Sequence, residues 1–239
     1  MLMCVLAKCA SQAKHLLILA AALTLLCLST ENSTAQEWKQ LAPTGGPPSA
    51  RIASSAVFDD STNQMIVYGG GNCTDFGDTW SLTIDDGPRW TQLTPLGNLP
   101  PARAGQTAVY DSATSSMTIF GGGLGCSSPC SNDTWVLSNA NSAAGSPAWT
   151  QLLPTGGPPI PRIFHTAVYD PGSNRMIVFG GNNCFTAGAA YYNDVWVLTN
   201  SNGSGGTPCG RSSIRLASNR RPARTMEPVS YTHLTLPTN

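Results

Sequence analysis

The sequence predicts an all-β protein, an incomplete β-propeller with about three four-stranded blades. Three observations predict this fold. A pattern of about fifty residues occurs three times, and each copy contains four short runs suited to β-strands. Only 11% of the 239 residues are charged, whereas Gly (24) and Pro (18) are frequent. Low charge and many turn residues favour short strands over helices, and a repeat of this length is typical of propeller blades.

Each copy has the same order of motifs. It opens with a tryptophan, reaches an arginine 13 residues later, passes through an apolar run into Gly-Gly, and closes with Asp-x-Trp. The arginines are 52 and then 59 residues apart. The equivalent residues are Trp38, Trp90 and Trp149; Arg51, Arg103 and Arg162; Gly69-Gly70, Gly121-Gly122 and Gly180-Gly181; and Asp78, Asp133 and Asp194.

These motifs predict four strands, a to d, in each copy. Strand a, for example residues 54–58, is short and largely apolar, as suits an inner strand. A turn rich in Asp, Ser, Asn and Gly joins it to strand b, whose β-branched and aromatic residues run into Gly-Gly. Strand c contains the tryptophan of Asp-x-Trp, and strand d begins at the next Trp-x-Gln-Leu segment. The tryptophans are expected to be packing anchors.

The motif order resembles the kelch repeat, as in the kelch-like central domain of galactose oxidase, over residues 36–208. The resemblance implies a ring of six or seven blades, in which the N-terminal strand d at 38–41 completes the last blade. Blade one is then 51–94, blade two is 103–153, and blade three is a partial blade, 162–198, without its fourth strand. We therefore expect the chain to be a piece of a longer propeller.

The two ends of the chain are expected to lie outside the blades. Residues 1–35 place Lys8 and Lys14 before a thirteen-residue apolar run, with small residues ahead of Gln36, which predicts a cleaved signal peptide and a secreted, periplasmic or cell-surface protein. A membrane anchor or lipoprotein is the alternative. Residues 209–239 lose the repeat, so we expect a disordered tail, either a flexible basic segment or an artefact of a frame error.

Charge and motifs limit the function. Residues 36–208 contain six basic and eleven acidic side chains, a net charge of −5, which argues against a nucleic-acid partner. His165 is the single histidine of this part and aligns with Ser and Gln in the other copies, so we expect a structural role for it. The sequence predicts no catalytic residue, metal or cofactor. The alternative is a fragment of a galactose-oxidase-like or other extracellular enzyme whose active site lies elsewhere.

Four cysteines follow the Gly-Gly pairs, in the b–c loops. Cys126 and Cys130 are close enough in sequence to form a small disulfide loop. Cys73 and Cys184 belong to blades one and three, so we expect them not to bond to each other, because a disulfide needs Cα atoms within about 7 Å. Their expected partners lie outside this chain. No second paired set accompanies them to form a zinc site.

The b–c and d–a loops are expected to share one face of the propeller, because successive loops of an up-and-down blade alternate between faces. Loops on a rigid scaffold commonly carry recognition. We therefore expect a protein or carbohydrate ligand to bind this face. We also expect the chain to have no membrane span once the signal peptide is cleaved. The expected contacts are Arg51, Arg103, Arg162, Phe76, Phe185, Tyr191 and Tyr192. The alternative is that the arginines only tie loops to carbonyl groups. We expect the three aspartates to act as turn caps or backbone acceptors rather than to line a cation site.

Overall fold

The computed structural model describes residues 36–85, 87–123, 129–184, 188, 190–204 and 210–212. This part of the chain contains thirteen β-strands and one 3₁₀ turn, Pro171–Ser173. The chain divides into two units, residues 1–41 and 42–239. The predictions made for residues 1–35, Cys126, Phe185 and residues 213–239 lie outside the described residues. No helix in the described ranges is long and apolar enough to cross a membrane.

The strands form three sheets, each with four antiparallel strands in sequence order, and one sheet has a fifth, parallel strand at its edge. Blade one contains β1 (Ser55–Asp59), β2 (Gln64–Tyr68), β3 (Thr79–Thr83) and β4 (Arg89–Leu93). A two-residue strand, β5 (Leu96–Gly97), follows. Blade two contains β6 (Thr107–Asp111), β7 (Ser116–Phe120), β8 (Thr134–Ser138) and β9 (Ala148–Leu152). Blade three contains β10 (Thr166–Asp170), β11 (Arg175–Phe179), β12 (Val195–Thr199) and β13 (Gly210–Ser212).

Blade three has a fourth strand, so the expectation that it lacks one is wrong. Residues Gly210–Ser212 pair antiparallel with β12, with Trp196 opposite Ser212 and Leu198 opposite Gly210. Strand pairing uses backbone groups, so a segment without the Trp-x-Gln-Leu motif can still cover the open edge of β12. The expectation of disorder is therefore also wrong for these three residues.

The N-terminal segment 38–41 forms no strand in the first unit. The side chain of Trp38 is fully exposed, unlike the buried Trp149. That this segment completes a closing blade stays a prediction.

The hydrophobic cores lie between blades. Ile66 and Tyr68 of blade one pack in one cluster with Met117 and Trp149 of blade two. A second cluster joins blade two to blade three and contains Val109, Phe120, Met176 and Val178. The three first strands, β1, β6 and β10, contact one another in sequence order. These contacts confirm strand a as the inner strand and confirm an incomplete propeller of stacked blades.

The segment after strand d crosses to the outer edge of the next blade. Leu96–Gly97 runs parallel to β9 and pairs with Ala148 and Trp149. Gly97 has φ +85°, and a Cβ there would lie 2.5 Å from the Trp149 carbonyl oxygen, so the crossing requires glycine. Thr44 makes the equivalent parallel bridge to Arg89 in blade one. The blades are therefore joined at their outer edges as well as by their cores.

Candidate functional site

A buried ion pair connects the start and the middle of each blade. In blade two, Arg103 donates from Nη1 and Nη2 to the two carboxylate oxygens of Asp133, at 2.5 and 2.9 Å. Its Nη1 also donates to the carbonyl of Gly121 at 2.8 Å. Trp135 Nε1 donates to the same carboxylate at 2.7 Å. The equivalent pairs in the other blades are Arg51–Asp78 and Arg162–Asp194.

The arginines are structural, so the expectation that they contact a partner is wrong. The side chains of Arg103 and Arg162 are 0% exposed and that of Arg51 is 7% exposed. A guanidinium held by two carboxylate oxygens and a carbonyl has little capacity left for a ligand. The alternative was that the arginines tie loops to carbonyl groups, and the three arginines do donate to the carbonyls of Gly69, Gly121 and Gly180. The three aspartates accept from arginine and tryptophan side chains.

Electrostatics keep these carboxylates charged. Burial raises the pKa of Asp133, but the hydrogen bonds and positive charge of Arg103 outweigh burial and hold that pKa below its usual value. The pKa of Asp78 is lowered against burial in the same way by Arg51. At Asp194 the hydrogen bond from Arg162 is the largest influence, and the pKa is again lowered. Each of these carboxylates therefore stays ionised near neutral pH.

Two of the predicted aromatic residues cover these ion pairs. The Phe76 ring lies 4.3 Å from the guanidinium carbon of Arg51, and the Tyr192 ring lies 4.6 Å from that of Arg162. Such stacking favours the cation without needing a ligand. Tyr191 is exposed.

His165 has the structural position that the sequence predicts. It is buried, its ring packs edge-on against Phe120 at 5.2 Å, and its Nε2 lies 2.8 Å from Thr107 Oγ1. Burial, and secondarily the charge of Arg162, lowers the pKa of His165 to about 4. Within the described ranges, no three His, Cys, Asp or Glu side chains lie close enough to hold a metal ion.

The disulfide joins two blades, so the predicted Cys126–Cys130 bridge is wrong. Cys130 bonds to Cys184, with Cα atoms 5.6 Å apart and a sequence separation of 54. Cys184 therefore has its partner within this chain. The reason is geometric: the b–c loops of adjacent blades lie side by side, so a cysteine across the junction is nearer than sequence separation suggests.

Sequence reasoning missed two exposed apolar residues on the d–a loops. Leu99 is 56% exposed and Ile160 is 55% exposed, and each lies shortly before a buried arginine. Tyr68 donates to the carbonyls of Pro100 and Pro101, at 3.0 and 3.2 Å, and so fixes the first loop. The sequence signal that could have indicated them is an apolar residue next to prolines in a loop, as Leu99 and Ile160 both are. We call Leu99, Ile160 and Tyr191 the loop face.

The chain matches the model of a known protein family. The model described as "KLHDC2/KLHL20/DRC7 Kelch-repeats domain" matches residues 21–137 and 74–205. The chain belongs to the kelch-repeat family. One Arg–Asp pair recurs within each of the three blades of this chain.

Several curated proteins resemble this kelch chain. Adagio-like protein 3 of Oryza sativa subsp. japonica is 33% identical over 153 residues, covering 61% of this chain and 23% of that protein. Multiple epidermal growth factor-like domains protein 8 of Homo sapiens is 28% identical over 197 residues, covering 74% and 7%. Host cell factor homolog hcf-1 of Caenorhabditis elegans is 30% identical over 171 residues, covering 62% and 21%. The chain spans less than a quarter of each relative.

Among solved structures, that of YjhT is similar at 15% identity and a TM-score of 0.49. The similarity covers 73% of this chain and 48% of that chain.

Proposed function

We propose that this kelch chain is part of an exported, non-enzymatic interaction module that binds a protein through the loop face. The observation that supports the proposal is the exposure of Leu99 and Ile160 on loops whose ends are fixed by buried ion pairs. These two loops lead into the junctions between described blades, where the N–H groups of Arg103 and Arg162 donate to the preceding blade.

Rigid loop ends favour binding. A loop that is already ordered loses little conformational entropy when a partner docks, so more of the contact energy appears as affinity. Arg103 and Arg162 hold the ends of the two d–a loops against Gly121 and Gly180. Apolar side chains on such loops suit the buried centre of a protein interface. The net charge of −5 over residues 36–208 favours a protein over a nucleic acid.

Export is supported by two features of the chain. The apolar run 16–28 followed by small residues fits a signal peptide. The disulfide between Cys130 and Cys184 fits an oxidising compartment, because thiols are kept reduced in the cytosol. We propose a secreted, periplasmic or cell-surface location.

Site-specific photocrosslinking tests the binding face. A photoreactive phenylalanine analogue replaces Leu99 or Ile160 on the loop face, or Ser142 as a control on the exposed c–d loop of blade two. The purified chain is irradiated with an exported-protein fraction. We expect a protein adduct at positions 99 and 160 and none at 142. The protein identified is then purified, and its Kd is measured against the unchanged chain and the Leu99→Asp, Ile160→Asp double variant.

The proposal predicts that the double variant weakens binding at least about tenfold, since a charge replaces each apolar contact, while Ser142→Asp leaves the Kd unchanged. Equal adducts at all three positions, or an unchanged Kd, would contradict it. A glycan array is the second arm. Specific glycan binding that is lost in the double variant would replace the protein partner with a carbohydrate.

A further inference from the structure

The core of the first blade junction contains an indole ring from strand d of blade two. Trp149 is 2% exposed, and its ring packs edge-on against Tyr68, with the ring centroids 5.0 Å apart. Its Nε1 donates to Thr79 Oγ1 at 3.4 Å. Met117 and Leu137 belong to the same buried cluster. Between blades one and two, an indole ring is therefore held by apolar contacts and one hydroxyl acceptor.

Strand d of blade three has a glycine where blade two has this tryptophan. In blade two, Trp149 is paired opposite Leu137. In blade three, Gly210 is paired opposite Leu198, and both leucines lie two residues after the tryptophan of Asp-x-Trp. The register therefore places Gly210 at the position of Trp149. Glycine has no side chain, so this position supplies no indole ring to the second junction.

The equivalents of Tyr68, Thr79, Met117 and Leu137 all line one cleft in the second junction. Each has the same place in its strand and motif as its counterpart in the first junction. We call this space the junction cleft, and it lies where the register would place the ring of a tryptophan at position 210. The four equivalents are, in that order, Phe120, Thr134, Met176 and Leu198.

The junction cleft is narrow and apolar. It contains about 350 Å³ of space free of protein atoms, including the part open to solvent, but only about 20 Å³ can take the centre of a water molecule. Apart from Thr134, its lining residues are of apolar types, and three of them are prolines of the second d–a loop. A flat ring suits such a space because its atom centres lie in one plane, and apolar cavities bind aromatic molecules rather than water.

The walls of the cleft lack the cover that their counterparts have. Trp135 and Leu137, which pack with Trp149, are 6% and 0% exposed. Trp196 and Leu198 pack against the cluster between blades two and three, but both are only partly buried. Covering apolar side chains removes their surface from water, which is favourable. A ring bound in the cleft would therefore complete this core as Trp149 completes the other.

We propose that the junction cleft binds a small-molecule ligand of the indole class, whose N–H donates to Thr134 Oγ1 as Trp149 donates to Thr79. The chain itself holds an indole ring at the equivalent position of the first junction, among the same kinds of neighbour. The cleft is lined by residues other than those of the loop face, so the ligand is additional to the proposed protein partner.

NMR of the methionine methyl groups tests the proposal with the full chain. The chain is isotope-labelled at these methyl groups and titrated with indole. Met176 lines the cleft, whereas Met117 is its counterpart beside Trp149 and serves as the control within the same molecule. We expect a saturable shift of the Met176 signal and no shift of the Met117 signal, because an aromatic ring shifts the resonances of the nuclei beside it.

Benzofuran is the matched control ligand, since it has the shape of indole but lacks the N–H. Its Kd should be about fivefold higher than that of indole, which is the loss expected for one hydrogen bond. In the Thr134→Val chain, which lacks the hydroxyl acceptor, indole and benzofuran should bind with the same Kd.

Gly210→Trp should fill the cleft with the chain's own indole ring and abolish the Met176 shift. Ala144→Trp is the control, because it adds the same residue on the exposed c–d loop of blade two and should leave indole binding unchanged. Circular dichroism verifies that both variants keep the β-sheet spectrum. The proposal is overturned by any of four results: no saturable shift at Met176, equal shifts at Met117 and Met176, equal affinities of the unchanged chain for indole and benzofuran, or undiminished binding by Gly210→Trp.

Discussion

The two blade junctions use the same backbone bonds but differ in a titratable residue and in a disulfide. The junction between blades one and two contains Gln106, and the junction between blades two and three contains His165 at the same position. The second junction also has the Cys130–Cys184 disulfide, where blade one carries Asp75 in place of Cys130. The shared bonds define the fold, while the differences should make only the second junction sensitive to acid and to reductant.

The largest expected effect comes from breaking the buried ion pair that every blade contains. Arg103→Ala removes the cation from a buried ion pair and leaves Asp133 charged and partly buried. Losing one partner of a buried pair typically costs about 3–5 kcal/mol in the free energy of unfolding. Arg162→Ala should cost a similar amount at the second junction. Urea denaturation followed by tryptophan fluorescence measures both.

Arg175→Ala is the matched control for these arginine variants. Its guanidinium also contacts a carboxylate, that of Asp170, but the pair is exposed. We expect almost no shift of the urea midpoint, because exposed ion pairs are screened by solvent. A midpoint shift as large as that of Arg103→Ala would mean that burial is not what makes the blade pairs important.

The second prediction separates the junctions by redox state. Reducing the Cys130–Cys184 bond, or replacing both residues with Ser, should lower the free energy of unfolding by about 2–4 kcal/mol. The covalent link restricts the unfolded chain over 54 residues, and its loss restores that freedom. Reductant should leave the double Ser variant unchanged. Equal sensitivity of the double variant would assign the effect to another cysteine.

The third prediction separates them by pH. The pKa of His165 is about 4 in the folded chain and about 6.5 when unfolded, so between these values the unfolded chain binds more protons. The free energy of unfolding should therefore fall as the pH drops from 6.5 to 4, by on the order of 2–3 kcal/mol. The loss is complete below pH 4, where both states are protonated.

His165→Gln gives the second junction the residue that the first junction has at this position, Gln106. This variant should be nearly flat over that pH window, because glutamine does not titrate, and denaturation curves at pH 4, 5, 6 and 7 compare it with the unchanged chain. The carboxylates with lowered pKa values lose their contribution only at lower pH. The same slope in both proteins would show that His165 is not the titrating group.

The sequence predicted the fold because the motif that indicates each strand occurs in all three copies of the repeat. Tryptophans, Gly-Gly pairs and apolar runs recur in the same order, so a strand that is hard to assign in one copy can be assigned from the other two. The Arg–Asp pairs were missed, although both residues recur in every copy of a chain with few charges. That recurrence was a usable signal for buried pairing, because isolated buried charges are too costly to keep.

The disulfide and the last strand could not be read from sequence in the same way. Cys130 has Cys126 nearby in the chain, and only the stacking of blades shows that Cys184 is its partner. Residues 210–212 form a strand through backbone bonds to β12, which no side-chain motif announces. The exposure of Leu99 was also not predictable from the sequence, because it depends on how a proline-rich loop lies over a junction.

The crossing at Gly97 has a consequence for how such chains change in length. The outer strand of a blade would otherwise offer an unpaired backbone edge to other molecules, a common route to aggregation. Here the parallel bridges at Thr44 and Leu96 cap that edge with residues from the preceding copy of the repeat. A duplication or deletion of one whole copy therefore changes the number of blades, and each remaining outer strand still has a preceding segment that pairs with its edge.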